Sequence, residues 1–247
     1  MTAGDVLRAL HVPGTPLVLP NVWDAASARL VERAGFPVVA TGSAAVAESL
    51  GYSDHHGTPL AETFGAFARI ARAVSVPLTV DAEGGYGLPE AELADRLAEV
   101  GAAGCNIEDT DHGGTGLVEA ARQADRLAAL RAASPGLVIN ARVDVFLYAR
   151  DQSAVLDEGI ERARAYLAAG ADCVYPILVR DEEVLAAFTA ALAPASVNAT
   201  YLPTGPDVAG LARLGVARVS LGVGLWRDAQ SHLFGKVALL AAGERPY

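Results

Sequence analysis

The chain has 247 residues, 52% of them hydrophobic, which suits one large α/β barrel or two small domains with a full core. Its net charge of −10 argues against a nucleic-acid surface and against docking on anionic membranes, although one pocket Arg still suffices to bind an anion. No uncharged apolar stretch of about 20 residues occurs and Met1 to Leu10 has no basic or long apolar segment, so neither a membrane span nor a signal peptide is expected, and the cytoplasm is the expected location.

One theme recurs eight times along the chain: a short β-rich run, a few polar residues, then a segment of helical period. A short helix carrying Arg8 comes first. Strand Leu17–Leu19 then leads to a helix at Ala25–Ala34, Pro37–Ala40 to Leu60–Val74, and Leu78–Asp81 to Pro89–Val100. Gly104–Ile107 leads to Leu117–Ala132, Leu137–Ala141 to Ser153–Ala168, and Asp172–Tyr175 to Asp181–Ala190. Ser196–Asn198 leads to Asp207–Leu214, and Arg218–Leu221 to Leu225–Ala241. Gly35, Gly101, Gly170 and Gly215 follow apolar helices and suit left-handed C-terminal caps. Pro89 suits a first helical turn, where its missing N–H is no loss. With no linker and no break in composition, residues 1–247 are expected to form a single (β/α)8 TIM-type barrel, residues 225–247 being its C-terminal helix and tail. A doubly wound sheet is the alternative, though it rarely needs eight even units. The two cysteines, Cys105 and Cys173, lie in strand-like runs without C-x-x-C spacing and read as buried thiols.

In such a barrel the active site forms at the C-terminal ends of the strands. The runs V-D-A-E-G-G-Y-G (Val80 to Gly87) and C-N-I-E-D (Cys105 to Asp109) therefore place Asp81, Glu83, Glu108 and Asp109 at one edge. Acids so crowded repel each other unless a cation or an Arg sits among them. Asp81, Glu83 and Glu108 are the metal candidates, for Mg2+ or Mn2+; the plainer alternative is that they cap the following helices. Strand alternation turns Glu108, Asn106 and Gly104 into the barrel and Cys105 and Ile107 towards the helices. Arg142 is in phase with Asn140, and the two Asn are expected to hydrogen-bond each other or other inward polar groups. Arg142 reads as an ion-pair partner or as a clamp for a carboxylate or phosphonate, with Asp144 as its partner. Thr41, Gly42 and Ser43 end the second strand, where exposed N–H groups hold a carboxylate or a developing enolate, unless they form an ordinary turn. Trp23, Tyr175 and Asn198 complete the rim. Gly84, Gly85 and Gly87 give room beside the acids but lack the Lys-Ser/Thr of a nucleotide loop. Asp54, His55 and His56 share a polar loop; adjacent histidines point apart and make a poor metal pair. His112 reads as an acid/base on a mobile loop or as a solvated loop histidine.

Taken in order, P-N-V-W-D-A-A-S-A-R-L-V-E-R-A-G-F, A-T-G-S-A-A, V-D-A-E-G-G-Y-G, N-I-E-D and N-A-R-V-D resemble the isocitrate lyase/phosphoenolpyruvate mutase superfamily over roughly Leu17 to Leu225. The motifs are specific together and weak singly. The resemblance implies an α/β barrel that binds Mg2+ and a 2-oxo acid and works through a pyruvate-like enolate. It also implies a homodimer or homotetramer that exchanges the last barrel helix, here within Leu225–Ala241. By resemblance Asp81 is the first metal-site acid, and Glu83 stands where the family usually has Asp, one methylene longer. Glu108 is the acid that reaches the metal, often through water. Arg142 binds the substrate's acid group, and Thr41, Gly42 and Ser43 hold the 2-oxo acid. Asp54 is the Asp of the G-Y-x-D segment, and Asn198 matches a substrate-binding Asn of the lyases.

Two departures matter. The lyase loop K-[KR]-C-G-H is replaced by T-D-H-G-G-T-G, without Cys or Lys, which argues against a standard isocitrate lyase; the mutase's loop Lys and Asn are missing too. Ile177 stands where lyases have Glu and mutases His, which implies a smaller or less polar substrate group. The expectation is a Mg2+-dependent lyase that cleaves a C–C bond of a small 2-oxo or 2-hydroxy acid, with His112, Tyr175 or a water as general acid. The alternatives are P–C chemistry of the phosphonopyruvate hydrolase or mutase type, and a homologue that binds 2-oxo acids without catalysis.

Overall fold

A computed structural model describes residues 1–247. The strands are β1 (Leu17–Leu19), β2 (Asn21–Val22), β3 (Val39–Thr41), β4 (Leu78–Asp81), β5 (Ala102–Ile107), β6 (Val138–Val143), β7 (Cys173–Pro176), β8 (Ser196–Thr200) and β9 (Arg218–Ser220). The helices are α1 (Ala3–Ala9), α2 (Ala25–Arg33), α3 (Ser43–Ser49), α4 (Leu60–Ala71), α5 (Glu90–Glu99), α6 (Ala120–Ala133), α7 (Val145–Tyr148), α8 (Leu156–Ala168), α9 (Glu182–Leu192), α10 (Val208–Arg213) and α11 (Gly224–Ala241).

All strand pairs are parallel, in the order β1-β9-β8-β7-β6-β5-β4-β3-β2, and they make a nearly closed TIM-type barrel. The eight-fold repeat of the sequence appears as nine strands for a local reason. β1 and β2 are separated only by Pro20, whose missing N–H interrupts the ladder. β1 pairs with β9 and β2 with β3, so this one run closes the barrel from both sides. Asn21 fastens the seam. Its Nδ2 donates to the Thr41 carbonyl at 2.8 Å, and its Oδ1 accepts the N–H groups of Leu221 and Gly222.

The N-terminal helix closes the bottom. Thr2 and Asp5 form a capping box on α1, and Leu7 packs with Leu17, Leu19, Val38, Ala40, Ala103 and Val138. Burying Leu7 is worth about 1.5–3 kcal/mol relative to leaving it in water. Gly104 is required there: a Cβ would meet the Val138 carbonyl at 2.7 Å and Leu7 at 2.8 Å. The main core lies between strands and outer helices and includes Cys105, Ile107, Ile139, Phe146 and Phe188. The four expected capping glycines, Gly35, Gly101, Gly170 and Gly215, all adopt positive φ.

Some boundaries shift. Ser43 starts α3 instead of lying in a turn, with Gly42 at its N-cap position, and Pro89 is the N-cap of α5. α6 begins at Ala120, because Val118 N–H is bonded to the Asp109 carbonyl and Thr110 bridges to Leu117, which holds the preceding residues as loop. α11 differs from every other long helix in burying no residue. No helix is long and apolar enough to cross a membrane.

Candidate active site

The ends of β4, β5 and β6 bring Asp81, Glu83, Glu108 and Arg142 to one part of the rim, all of them buried. Asp81, the last residue of β4, is held at both ends. Its N–H donates to Thr41 Oγ1 at 2.9 Å, and its Oδ2 accepts the Ser43 N–H at 3.2 Å. The Thr41–Ser43 segment therefore positions Asp81, and the Ser43 N–H expected to face a substrate oxyanion is shared with that carboxylate. Burial pushes the Asp81 carboxyl up; Arg142 opposes this and Glu108 adds to it. Glu83 is pushed up to about 7, first by burial and then by Asp81, Asp54 and Glu108, against the pull of the His56 N–H, which donates to its Oε2 at 2.6 Å.

Alternation separates the consecutive acids Glu108 and Asp109. Glu108 faces the site, where it pairs with Arg142 and lies 2.5 Å from His112 Nε2. Burial opposes its charge, but Arg142 and the His112 hydrogen bond outweigh burial and hold its pKa below the usual range. The same bond raises the His112 pKa. Asp109 turns away and is fully buried, taking hydrogen bonds from the Tyr166 hydroxyl at 2.6 Å and the Asp144 N–H at 2.8 Å. Asp144 in turn grips Arg142 with both oxygens, at 3.0 Å to Nε and 2.8 Å to Nη2, and accepts from Thr110 Oγ1 at 2.6 Å. Asp109 thus fixes the residue that fixes Arg142. A guanidinium held in this two-pronged way keeps one orientation.

Inside the barrel Asn140 Nδ2 donates to Asn106 Oδ1 at 2.9 Å, the contact expected from their phase. Asn106 Oδ1 also accepts from Arg218, a fully buried side chain whose Nε and Nη1 have no protein partner. The neighbouring rim is neutral: Tyr175 shares a hydrogen bond with Thr200 at 2.7 Å, and Asn198 donates to Ser220 Oγ. Trp23 lies apart from the acids. Its ring meets Trp226 of α11 edge-on at 5.1 Å, and it lines a flank cleft with Arg29 and Arg69.

The D-H-H segment comes closer to the acids than its spacing suggests. His56 stacks on His112 with centroids 3.9 Å apart, and His55 lies 5.8 Å from the same ring. Burial, then His112, lowers the His56 pKa to about 4. Asp54 Oδ1 is buried without a partner. Two trios have ligand atoms all within 4.8 Å of one another, His55–Glu108–His112 and His56–Glu83–His112; the Asp81–Glu83–Glu108 set is not such a trio. His55, His56, Glu83 and Tyr86 are four of the five non-glycine residues with left-handed φ. Strain of this kind clusters at functional sites. A cavity of about 650 Å³ opens beside these residues, lined by His56, Gly84, Tyr86, Thr110, His112 and Arg126 among others; Asp81 is not in its wall. Arg126 donates to the Gly84 carbonyl at 2.9 Å and pairs with Glu90, so it braces the glycine loop. His56, Arg126 and Arg218 were not legible as site residues, since their neighbours come from distant chain segments; the two adjacent histidines beside Asp54 were the only local signal.

Comparison with known proteins places the chain in a family. The family model described as phosphoenolpyruvate phosphomutase matches residues 7–240. An uncharacterized protein of Mycobacterium tuberculosis is 39% identical over 86% of this chain and 80% of its own length. Oxaloacetate decarboxylase of Rhodopseudomonas palustris is 34% identical, over 75% of this chain and 66% of its own. A crystal structure of a phosphonomutase candidate from Burkholderia cenocepacia J2315 shares 40% identity, with a TM-score of 0.90 over 96% of this chain and 99% of that one. Those of these homologues whose activity is named are superfamily enzymes or enzyme candidates for small acids. The chain belongs to the phosphoenolpyruvate phosphomutase family, within the isocitrate lyase/phosphoenolpyruvate mutase superfamily.

Proposed function

We propose that the chain is a divalent-metal-dependent lyase that cleaves a C–C bond of a 2-oxo or 2-hydroxy acid and leaves a pyruvate-like enolate. The observation that carries this reading is the pair of buried, charge-resisting carboxylates Asp81 and Glu83 beside an Arg142 already fixed by Asp144 and Glu108. The donors fit a hard cation: carboxylate oxygens whose charge is costly without one, and a buried Asp54 oxygen with no partner. Asp81, Glu83 and Glu108 would hold Mg2+ or Mn2+. When bound, the ion supplies Lewis-acid polarisation of the substrate's carboxylate and 2-oxo oxygen.

The chain's own groups do the rest. Arg142 binds the departing or second acid group in the orientation set by Asp144. Thr41, Gly42 and Ser43 border the 2-oxo acid end, and Asn198 lies deeper in the barrel. His112 carries a proton made more tenacious by Glu108 and delivers it to the enolate carbon in place of the departed carbon group. Tyr175 is the other candidate donor. Asp54 orders the outer side of the cation position. The partly buried Ile177 supports a small substrate, in keeping with the named activity of the oxaloacetate decarboxylase relative.

The test is pyruvate release from a panel of 2-oxo and 2-hydroxy acids, with and without chelator, alongside calorimetry with oxalate and Mg2+. Metal-dependent release supports the lyase. Turnover indifferent to chelation overturns it, and oxalate binding without any turnover points to a non-catalytic homologue. A second reading, P–C cleavage, is favoured by the phosphonomutase candidate, which matches nearly the whole chain. Phosphate release from phosphonopyruvate in the same panel separates the two.

We also infer that α11 is exchanged between copies in a homodimer or homotetramer. It exposes Leu233, Phe234, Val237 and Leu240 by 53–74%, an apolar face too large to leave in water on a lone helix.

A further inference from the structure

Three loops cross the outer lip of the acid rim: Ser53–Thr58, the glycine loop after Asp81, and Asp109–Gly116. Each contributes one or more donor side chains to a single small volume. We propose that His56, His112 and Glu83 form a second cation position there, which shares Glu83 with the Asp81 position and takes a borderline first-row transition ion such as Zn2+ in preference to Mg2+.

Two imidazole nitrogens and one carboxylate oxygen lie within 4.8 Å of one another, so a modest inward movement of each suffices to share one ion. A set of two histidines and one carboxylate suits Zn2+ and its neighbours, whereas Mg2+ prefers oxygen ligands and keeps its waters. The Asp81 position, with oxygen donors only, has the opposite preference. The second histidine-containing trio, His55–Glu108–His112, is the weaker candidate, because Glu108 is already neutralised by Arg142.

Local structure keeps the donors facing one another. His56 Nε2 accepts the Gly84 N–H at 3.3 Å, a long bond that places the nitrogen beside the glycine loop and that an ion would displace. Gly84 has no room for a side chain: a Cβ would meet His112 Cδ2 at 2.9 Å. His56 and Glu83 are held in left-handed backbone at φ 60° and 47°. The adjoining cavity of about 650 Å³ gives an ion a path from solvent. An ion bound here competes with Glu108 for His112 Nε2 and ties the three loops together across the mouth. The site does not depend on the lyase reading; an inactive chain would bind the ion equally well.

The test is Zn2+ and Mg2+ calorimetry on the full chain, with Co2+ as a spectroscopic probe whose visible bands report nitrogen ligands. The expected result is a tight Zn2+ step, weakened at least ~10-fold in His56→Gln and in His112→Gln. Asp81→Asn and His55→Gln should leave that step in place, and His56→Gln should leave Mg2+ binding unchanged. Thermal melts of the apo variants show that each one folds. A Zn2+ step that survives both His56→Gln and His112→Gln overturns the proposal. So does one lost on Asp81→Asn alone, since the ion would then sit among the carboxylates.

Discussion

The two halves of the barrel rim are built on different principles. The ends of β4, β5 and β6 hold Asp81, Glu83, Glu108, Arg142 and Asp144, whose charges are buried and mutually dependent. The ends of β7, β8 and β9 hold Tyr175, Thr200, Asn198 and Ser220, joined in two neutral hydrogen-bonded pairs that leave only Asn198 Oδ1 without a partner. Buried charges are costly and are kept where they act on another charge; neutral pairs serve shape at little cost. On the proposed function, the first half binds and moves protons and the second outlines the substrate.

The sharpest way to break this contrast is at Asp81. Asp81→Ala removes a buried oxygen donor at the centre of the charged half, and turnover should fall at least ~10³-fold with a folded protein. Steady-state assays beside a thermal melt check it. Undiminished turnover would move the chemistry elsewhere. Arg142→Lys comes next. Lysine keeps the charge but not the two-pronged grip of Asp144, so kcat/KM should drop ~10²-fold. The loss should appear with any substrate whose second acid group this residue binds.

Much of the charged half was legible in the sequence, because strand ends are local. Val80–Glu83 and Cys105–Asp109 announce their acids by apolar runs that stop, and period-2 alternation turns Asn106 and Asn140 inward, where the strand register pairs them. What makes the acids useful was less legible. Asp109 looks like another rim carboxylate but faces away to hold Asp144, and its role depends on Tyr166, 57 residues downstream. His56 reaches His112 only because two successive residues take left-handed backbone, which histidine rarely does. The ninth strand is a Pro20 effect that hydrophobic patterning does not register. The neutral half offered little signal, since Thr200 and Ser220 look like any other strand-end hydroxyls.

A milder test uses proton linkage at Glu83. Its pKa of about 7 means that the carboxyl is largely protonated in mildly acid solution, and a cation binds the ionised form. Below pH ~7 the Mg2+ affinity should therefore fall ~tenfold per pH unit, and above it the dependence should flatten. Glu83→Gln should weaken binding at high pH and remove most of the slope. A slope unchanged in that variant would place the titrating group outside the acid pair.

The smallest expected effect separates the halves most cleanly, since each offers one candidate proton donor. Burial raises the pKa of Tyr175 against the pull of its shared bond with Thr200, so it is a reluctant acid. His112 has its pKa raised by Glu108 and sits at the cavity wall, where a substrate can reach it. If the charged half carries the proton, Tyr175→Phe should change kcat by less than ~5-fold while His112→Gln costs ~10²-fold or more. The neighbouring Thr200 remains anchored in the phenylalanine variant by the Leu178 N–H, at 3.1 Å, so the outline of the neutral half should survive and KM should move little. The reverse order of effects would hand the proton to the neutral half, and the division of labour drawn from the buried charges would fail with it.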